Sequence, residues 1–454
     1  MLTSYAFDRT HFISGVYAQG VQTSQGDRRY DNSASSIEIN ADGPVFALPA
    51  GAVRIAIGGG LRRTSLSLLA ASAASTTGFD THRYNRFGYI ETFIPLLAPG
   101  QASALGRSLS ITGAFRYEAN SGTASAAVPK AGIIYAPVEG VTLKASWGRS
   151  FRLPTFYEQY NGYALVLLPA SSYASGYPAS STFLYLAGSN ANLKPERSEN
   201  WTVSGEIKPQ GLPGLTATLG YFHFNYRNRI ATPISSITGA FSNDLYASFL
   251  DPDPSQTFQD SLIAGANSRG LQNGTGAAYD GDTVVAVLDN RYQNVAREIY
   301  RGLTGSVRYT MVLPQGAKLG LTLDGVWIDS DRQLIAGASM VQLAGTLFNP
   351  PHIRVRGGIS YSTRQFSLSG FANLASKLTD TRTSTRYSIH GPRTIDLAAL
   401  FHASGGLDLG MTVNNLLNAK PPTIVTSSGY DTPFDSTNFS AIGRFISVRI
   451  RKSW

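Results

Sequence analysis

The fold is decided by residues 318–327, which read KLGLTLDGVW. Apolar and polar side chains alternate through this stretch, with Leu319, Leu321, Leu323 and Trp327 in one set and Lys318, Thr322 and Asp324 in the other. Because successive side chains of a β-strand point to opposite faces, the alternation predicts a strand with one apolar and one polar face.

The same two-residue period continues outward from this stretch. It recurs from Val141, Ile353, Leu407 and Ile446, and each polar set contains charged residues, so one face of every strand is predicted to meet water. The best competing apolar stretch, residues 66–74, lacks the length and the caps of a helix and is predicted to be a strand end followed by a loop. We therefore predict an all-β chain.

Composition excludes several classes of protein. Only 15% of the 454 residues are charged, while 43% are hydrophobic and 11% aromatic, so the chain has enough apolar surface to fold and is not predicted to be disordered. It has no cysteine, which excludes disulfides and thiolate metal sites. It has no run of 18 apolar residues, which excludes a transmembrane helix. The net charge of +9 is scattered singly along the alternating segments, so we expect no nucleic-acid partner.

The connections between the alternating segments are short and long in turn. The short ones cover residues 136–140, 208–214, 313–316, 362–364 and 402–406, and the long ones cover about 151–196, 231–290, 331–351, 379–391 and 417–440. A meander with one trimmed and one elaborated end is typical of outer-membrane barrels, which have tight periplasmic turns and long outer loops. A soluble β-sandwich, the alternative, has no reason to alternate its loops in this way.

Sixteen strands are predicted, each long enough for the ~9–11 residues that a tilted strand needs to cross a bilayer. They cover approximately residues 8–20, 35–46, 52–66, 83–96, 108–118, 126–136, 140–150, 197–208, 214–230, 291–313, 317–330, 352–362, 365–378, 392–403, 406–416 and 441–454. The apolar face would meet lipid and the charged face a wet lumen. Aromatic residues near strand ends are expected to form interfacial girdles, namely Tyr89, Phe93, Phe115, Tyr117, Trp147, Trp201, Tyr221, Trp327 and Trp454.

Three segments resemble TonB-dependent outer-membrane receptors. Residues 146–158, SWGRSFRLPTFYE, are similar to the family's "SFRAP…EL" stretch at a strand end. Residues 190–201, NANLKPERSENW, are similar to its "NPNLKPE.S" entry into the next strand, and residues 413–418, VNNLLN, are similar to its "NLFN" motif. The C-terminal strand ends on an aromatic residue, Trp454, as does the signal that the barrel-assembly machinery reads in this family. In this order the motifs cover the chain from about residue 35 onward.

The resemblance implies a transmembrane, antiparallel, up-and-down β-barrel in the outer membrane of a Gram-negative bacterium. Receptors of this family have about 22 strands around a plug, and they couple to the TonB complex through that plug. Nothing before residue 35 resembles a plug, so residues 1–454 are expected to be about 16 strands of a larger receptor barrel, and the TonB complex to act only through a plug that this sequence does not show.

No catalytic motif is present, and we expect neither enzymatic activity nor a cofactor. The sequence lacks G-x-S-x-G, H-E-x-x-H and a P-loop. The six histidines form no i, i+4 pair, so no metal site is predicted from them. The acidic stretch 251–260 lacks the glycine and glutamate that an EF-hand loop requires at its sixth and twelfth positions. Gly58, Gly59 and Gly60 lie inside an alternating strand, where a bend or a close backbone approach is favoured over phosphate binding.

The long loop 151–196 is the candidate binding surface. It is rich in aromatic residues, which offer flat and rigid contact area to an aromatic iron chelator or a sugar, and two arginines at its border could attract an anionic chelate. The candidate residues are Arg149, Arg152, Tyr157, Tyr160, Tyr163, Tyr177 and Tyr185. Two alternatives remain open, since the loop could instead pack on itself and on the barrel rim, and the arginines could pair with Glu158.

The leading hypothesis is a receptor barrel for energy-dependent uptake of a ferric chelate or a nutrient of similar size. The resemblance implies the transport role, whereas composition and periodicity predict only a membrane β-barrel. One alternative is a self-contained 16-stranded diffusion porin, and another is a soluble β-rich adhesin or enzyme.

Overall fold

A computed structural model describes residues 2–453 apart from 15–16, 19–20, 23–27, 72–75, 102–103, 268, 383–385 and 426–431. Sixteen long strands dominate it: β1 Leu2–Ser14, β2 Arg28–Leu48, β3 Gly51–Ala71, β4 Thr76–Leu97, β5 Ser108–Asn120, β6 Ala126–Ala136, β7 Val141–Arg152, β8 Glu196–Ile207, β9 Leu215–Ala231, β10 Gln293–Val312, β11 Lys318–Gln333, β12 Ile353–Ser362, β13 Phe366–Ala375, β14 Thr394–Ala403, β15 Leu407–Asn414 and β16 Phe445–Lys452.

Each long strand pairs antiparallel with the next one along the chain, so the sheet is an up-and-down meander. The predicted number of strands is confirmed, and most boundaries agree within a few residues. The first strand was predicted at 8–20 and lies at Leu2–Ser14. The second and fourth strands begin at Arg28 and Thr76, seven residues before their predicted starts at 35 and 83. The strand β3 also continues to Ala71, further into the stretch 66–74 than its predicted end at residue 66.

The two ends of the sheet differ in the length of their connections, as predicted. One end has tight turns, such as residues 313–317 between β10 and β11, where Gln315 and Gly316 adopt positive φ angles of 63° and 77°. The other end carries the long connections, of which residues 153–195 and 232–292 are the largest. Because the turns leave no room for additional structure, any binding surface built from loops lies at the second end.

The strands expose their apolar face. Val203, Leu219 and Leu323 are 52%, 63% and 52% exposed, whereas polar neighbours on the opposite face, such as Ser198 and Glu196, are buried. The total accessible surface of 26708 Å² far exceeds the roughly 17,000 Å² expected for a compact protein of this mass. In a soluble protein the apolar face of a sheet is buried, so the exposed apolar face seen here is the arrangement expected of a sheet that meets lipid.

Two of the predicted girdle aromatics lie on the other face, so that part of the prediction is wrong. Tyr89 alternates with the outward residue Ile90, and its hydroxyl donates to Glu38 at 3.1 Å on the polar face. Phe93 is four residues further along the same strand and therefore also faces inward, opposite Arg54. Aromatic side chains satisfy the alternating pattern on either face, so the sequence did not separate the two environments. Trp454 lies outside the described residues.

The largest connections, residues 153–195 and 232–292, fold together into one unit that we call the loop cap. A five-stranded sheet forms its centre, and its strands in spatial order are Leu250–Pro252, Val284–Arg291, Thr182–Gly188, Tyr163–Pro169 and Leu271–Asn273. The connections also contain two helices, α1 Phe156–Tyr160 and α2 Gln256–Gly265. The sequence pattern predicts only loops for these residues.

The loop cap has a hydrophobic core of its own. Leu165, Leu184 and Leu186 pack with Leu262 on one side of the small sheet, and Phe183 and Leu288 pack with Ile234 on the other side. A smaller cluster of Leu347, Leu378 and Ile389 joins the connections nearer the C-terminus. The cap is therefore a folded element rather than a set of independent loops.

The remaining short elements all lie in the connections. They are the two-residue strands Tyr17–Ala18, Val21–Gln22 and Val341–Gln342, the hairpin of Leu378–Asp380 and Tyr387–Ile389, and single 3₁₀ turns at Ala170–Ser172, Ala240–Ser242, Asp244–Phe249, Gly281–Thr283 and Pro314–Gly316. Among the described residues, no helix has the length and apolar character needed to span a membrane.

Candidate functional site

The first two sequence motifs meet where β7 ends and β8 begins. Glu196 lies directly opposite Arg152 in the sheet, and the Arg152 guanidinium donates to both of its carboxylate oxygens, at 2.7 and 2.8 Å. Arg152 also donates to both oxygens of Glu158, at 3.1 Å. Since bidentate arginine–carboxylate pairs fix geometry, this ion pair anchors both ends of the loop 153–195 at one point of the sixteen-stranded sheet, which we call the wall.

The same cluster extends across the inner face of the next strands. Glu196 accepts a hydrogen bond from the Ile230 amide at 2.9 Å, and Arg229 bridges it to Glu298. Tyr300 donates to Glu298 at 2.8 Å. Both carboxylates are buried, so these contacts hold the base of the loop cap against β8, β9 and β10.

The short helix α1 is held at the mouth of the lumen by Arg83. Thr155 caps the helix in a capping box with Glu158. Arg83, on the inner face of β4, donates to the Pro154 carbonyl at 3.1 Å and to the Gln159 side-chain oxygen at 2.6 Å. Its guanidinium also lies 4.8 Å from the centre of the Phe156 ring.

Arg83 is 8% exposed and contacts no carboxylate within the described part of the chain. Its partners are a carbonyl and an amide, which accept hydrogen bonds but do not neutralise a charge. Arg62, on the inner face of β3 opposite Asn85, is an exposed neighbour that also lacks an ion-pair partner among the described residues. The mouth beside α1 therefore carries uncompensated positive charge.

The structure places three of the predicted site residues at this mouth. Arg152 is engaged by two carboxylates, and Tyr157 on α1 is 43% exposed. Tyr160 follows at the end of α1, 6.4 Å from Phe156 between ring centres.

Three other predicted tyrosines support the loop cap. Tyr163 packs on the first core and donates to the Leu262 carbonyl at 2.8 Å, and burial raises the pKa of its hydroxyl. Tyr177 contacts Phe241 edge-on at 5.7 Å. The Tyr185 hydroxyl accepts a hydrogen bond from Asn290 at 2.9 Å. The alternative that the loop packs on itself describes these three residues.

Arg149 faces the opposite way from Arg152. It shares the outward face of β7 with Leu143, which is 44% exposed, and with Trp147, whose ring centre lies 5.6 Å from the guanidinium carbon. A strand sends residues three apart to opposite faces, so the two arginines at the border of the loop could not serve one site.

The third motif forms a turn at the loop end of β15. Asn415 and Asn418 both have φ angles of 52°, a conformation that asparagine tolerates better than most residues. The Asn415 side chain exchanges hydrogen bonds with Ala419, and the Asn418 side chain accepts one from the Arg444 amide at 3.0 Å. Beside this turn, a lumen-side cavity of about 750 Å³ is lined by residues that include Asp324, Arg354, Arg356, Asn373 and Asp396.

Three residues of this region were not predicted from the sequence as site residues, namely Arg62, Arg83 and Glu196. Arg62 and Arg63 are adjacent, so the alternation already required one of them to face inward. The hydrogen bond from Arg83 to Gln159 of α1 joins residues 76 apart in sequence, and no local pattern indicates such a contact. Within the described ranges, no group of three or more His, Asp or Glu residues is arranged to hold a metal ion.

Comparisons with known proteins agree with this architecture. The family model for the β-barrel of TonB-dependent receptor-like proteins matches residues 2–440. The ferric enterobactin receptor of Pseudomonas aeruginosa is 34% identical over 112 residues, which are 25% of this chain and 14% of that receptor.

Solved structures share the fold at low identity. The siderophore receptor PirA from Acinetobacter baumannii has a TM-score of 0.65 and 13% identity, covering 100% of this chain and 60% of that one. A mutant of the ferric enterobactin receptor from P. aeruginosa, in complex with enterobactin, has a TM-score of 0.63 and 18% identity, covering 98% and 59%. The chain thus spans about three fifths of these receptors, and it belongs to the TonB-dependent receptor family as a member of its β-barrel domain.

Proposed function

We propose that this chain forms the ligand-binding barrel of an outer-membrane receptor for an anionic ferric chelate, taken up with energy from the TonB complex. Similar proteins are named as siderophore and ferric enterobactin receptors. They supply the class of ligand, and the family supplies the TonB complex as the partner.

The observation that carries the proposal is the positive mouth beside α1. We call Arg62, Arg83, Arg152, Tyr157 and Tyr160 the mouth cluster. Arg83 is buried without a carboxylate, Arg62 is exposed beside it, and Tyr157 offers an exposed ring. Cationic groups with low-dielectric surroundings attract anions, and aromatic rings pack against the rings of an aromatic chelator.

Within this cluster the residues have different roles. Arg62 and Tyr157 are the groups that would contact the chelate. Arg83 and Arg152 act by holding α1 and the ends of the loop 153–195 in place. Tyr163, Tyr177 and Tyr185 stabilise the loop cap above them, and Arg149 lies outside the site.

The proposal is tested by titrating the refolded chain in detergent with ferric enterobactin and following the quenching of its tryptophan fluorescence. Saturable quenching is expected, and Arg62→Gln should weaken it about tenfold, as the loss of a hydrogen bond to a charged group does. Tyr157→Ala should also weaken binding. The matched control is Arg63→Gln, which removes the same charge from the neighbouring residue on the outward face. Equal affinities for Arg62→Gln and Arg63→Gln, or no saturable binding, would reject the mouth cluster as the site.

A further inference from the structure

The outward face of β7–β10 carries arginines that the chelate proposal does not use. Arg149, Arg197, Arg227 and Arg297 all lie on this face, at the loop end of their strands, and all are exposed. The carboxylate among them is Glu199, which accepts a hydrogen bond from Trp147 at 2.9 Å. Arg301, further along β10, is excluded because Asp329 already pairs with it at 2.7 Å.

Two of these arginines are direct cross-strand neighbours. Arg197 lies opposite Arg227 in the β8–β9 ladder, where facing side chains have their Cβ atoms about 5 Å apart. Neither side chain has a hydrogen bond or an ion pair with any residue that the structure describes. Like charges placed opposite each other in a sheet destabilise it, whereas an anion between them would receive charge-assisted hydrogen bonds from both guanidinium groups.

The residues below the arginines mark the edge of the hydrocarbon. Trp147 and Trp201 face each other across β7 and β8, with ring centres 6.2 Å apart, and the exposed apolar residues Val203 and Leu219 come next toward the turn end. Aromatic side chains occupy the level of the lipid headgroups. The arginine pair therefore lies at or just beyond the level of lipid phosphates.

An apolar groove continues from this point down the same strands. Its volume is about 510 Å³, and its lining includes Gly205, Gly305, Gly325, Leu303 and Trp327. The glycines create it, because Gly305 lies opposite Gly325 on the outward face and a Cβ added at Gly305 would meet nothing within 4 Å.

The spacing between arginines and groove matches one lipid molecule. Gly205 is eight residues from Arg197 along β8, which is about 27 Å of strand, or roughly 20 Å of depth at the usual tilt of membrane strands. The distance from the phosphate level to the bilayer midplane is also about 20 Å.

We propose that the outward face of β7–β10 is a binding site for a phosphorylated membrane lipid, with its phosphate on Arg197 and Arg227 and an acyl chain in the glycine groove. Arg149 and Arg297 contribute positive charge on either side of the phosphate. The site lies on the opposite face of the wall from the mouth cluster, so a failure of one proposal would leave the other untouched.

The test uses the refolded chain in a zwitterionic detergent with bis-phosphorylated lipid A as the probe, and native mass spectrometry to count bound lipid. Arg197→Gln/Arg227→Gln should lower the affinity at least about tenfold, the effect of losing a hydrogen bond between charged groups. The matched control, Lys144→Gln/Arg308→Gln, removes two charges from the inward face of β7 and β10 and should leave lipid binding unchanged.

A second variant examines the acyl chain without touching any charge. Gly305→Leu fills the groove with an apolar side chain in open space and should weaken lipid A binding several-fold. Dephosphorylated lipid A should bind no more strongly to the original chain than to the double arginine variant. Equal binding of lipid A to all variants would overturn the proposal, and so would competition by inorganic pyrophosphate at the concentration of lipid A, because the site would then serve a soluble anion.

Discussion

Leucine has opposite environments in two regions of this molecule. In the loop cap, Leu165, Leu184 and Leu288 are fully buried, whereas on the outward face of the strands Leu219 and Leu323 are 63% and 52% exposed. The cap folds as a soluble domain does, by removing apolar surface from water. The strands leave theirs exposed because the surrounding lipid is itself apolar. The same side chain therefore has a different energetic role in each region.

The largest effect is expected from shortening a side chain in the core of the loop cap. Leu184→Ala should destabilise the loop cap by about 3–5 kcal/mol, because a fully buried leucine leaves a cavity behind. Hydrogen exchange of the amides in residues 163–188 and 284–291 measures the loss. The exposed cap residue Leu245, changed to alanine, serves as the control. Unchanged protection in Leu184→Ala would mean that the cap is not a cooperative unit.

A charged substitution on the outward face tests whether that face meets lipid or water. Leu323→Arg should lower the free energy of unfolding in a bilayer by ~2–4 kcal/mol if Leu323 lies near the midplane. Thr322→Arg, on the inward face of the same strand, should cost much less. Both are measured by denaturant titration in vesicles. Equal penalties would contradict the assignment of the two faces.

The junction between cap and wall depends on Glu196. Glu196→Gln removes the carboxylate shared by Arg152, Arg229 and the Ile230 amide, and should destabilise the base of the cap by about 2–3 kcal/mol. Glu199→Gln, three residues along on the outward face, is the control. Protease cleavage within residues 153–195 reports the difference, and equal cleavage of both variants would show that the cap does not rely on this ion pair.

A smaller effect is expected from pH at the C-terminal connections. Hydrogen bonds from Arg382 lower the pKa of Asp380, which is 2% exposed. Because the pKa of Asp380 is lower in the folded state than in the unfolded chain, where it is near 3.8, the ionised carboxylate stabilises the folded state at pH values above 3.8. This stabilisation is lost as the pH falls through the pKa of the folded state. Protection of the amides in Leu378–Asp380 and Tyr387–Ile389 against exchange should thus decrease only in acid. Asp380→Asn should cost about 1 kcal/mol at neutral pH and remove this pH dependence, and an unchanged acid response would refute the role of Asp380.

The strands of the wall could be predicted because apolar and polar side chains alternate along consecutive residues of each strand. The loop cap could not be predicted in the same way, although its strands left a signal. Residues 163–168 and 284–288 read YALVLL and VVAVL, and such continuous apolar runs are typical of strands buried on both faces. The parallel pairing of Val284–Arg291 with Thr182–Gly188 joins segments about 100 residues apart, which no local pattern reveals.

The candidate site was predicted only in part, for a related reason. Loop composition indicated aromatic residues near the mouth, but it could not separate Tyr157, which is exposed, from Tyr163, which supports the core. That distinction depends on the fold of the cap. Arg149 was placed beside Arg152 by sequence, whereas the alternation of the strand sends it to the lipid side.

The most direct test of our account determines which end of the sixteen-stranded sheet faces the outside of the cell. Ser171 is exposed in the loop cap and Gln315 is exposed in a tight turn at the other end of the sheet. Cells that carry the protein in the outer membrane are treated with a membrane-impermeant maleimide, using Ser171→Cys and Gln315→Cys in a chain that has no other cysteine. Our account predicts labelling of Ser171→Cys and no labelling of Gln315→Cys on intact cells, with both labelled after lysis. Labelling of Gln315→Cys alone on intact cells would contradict it.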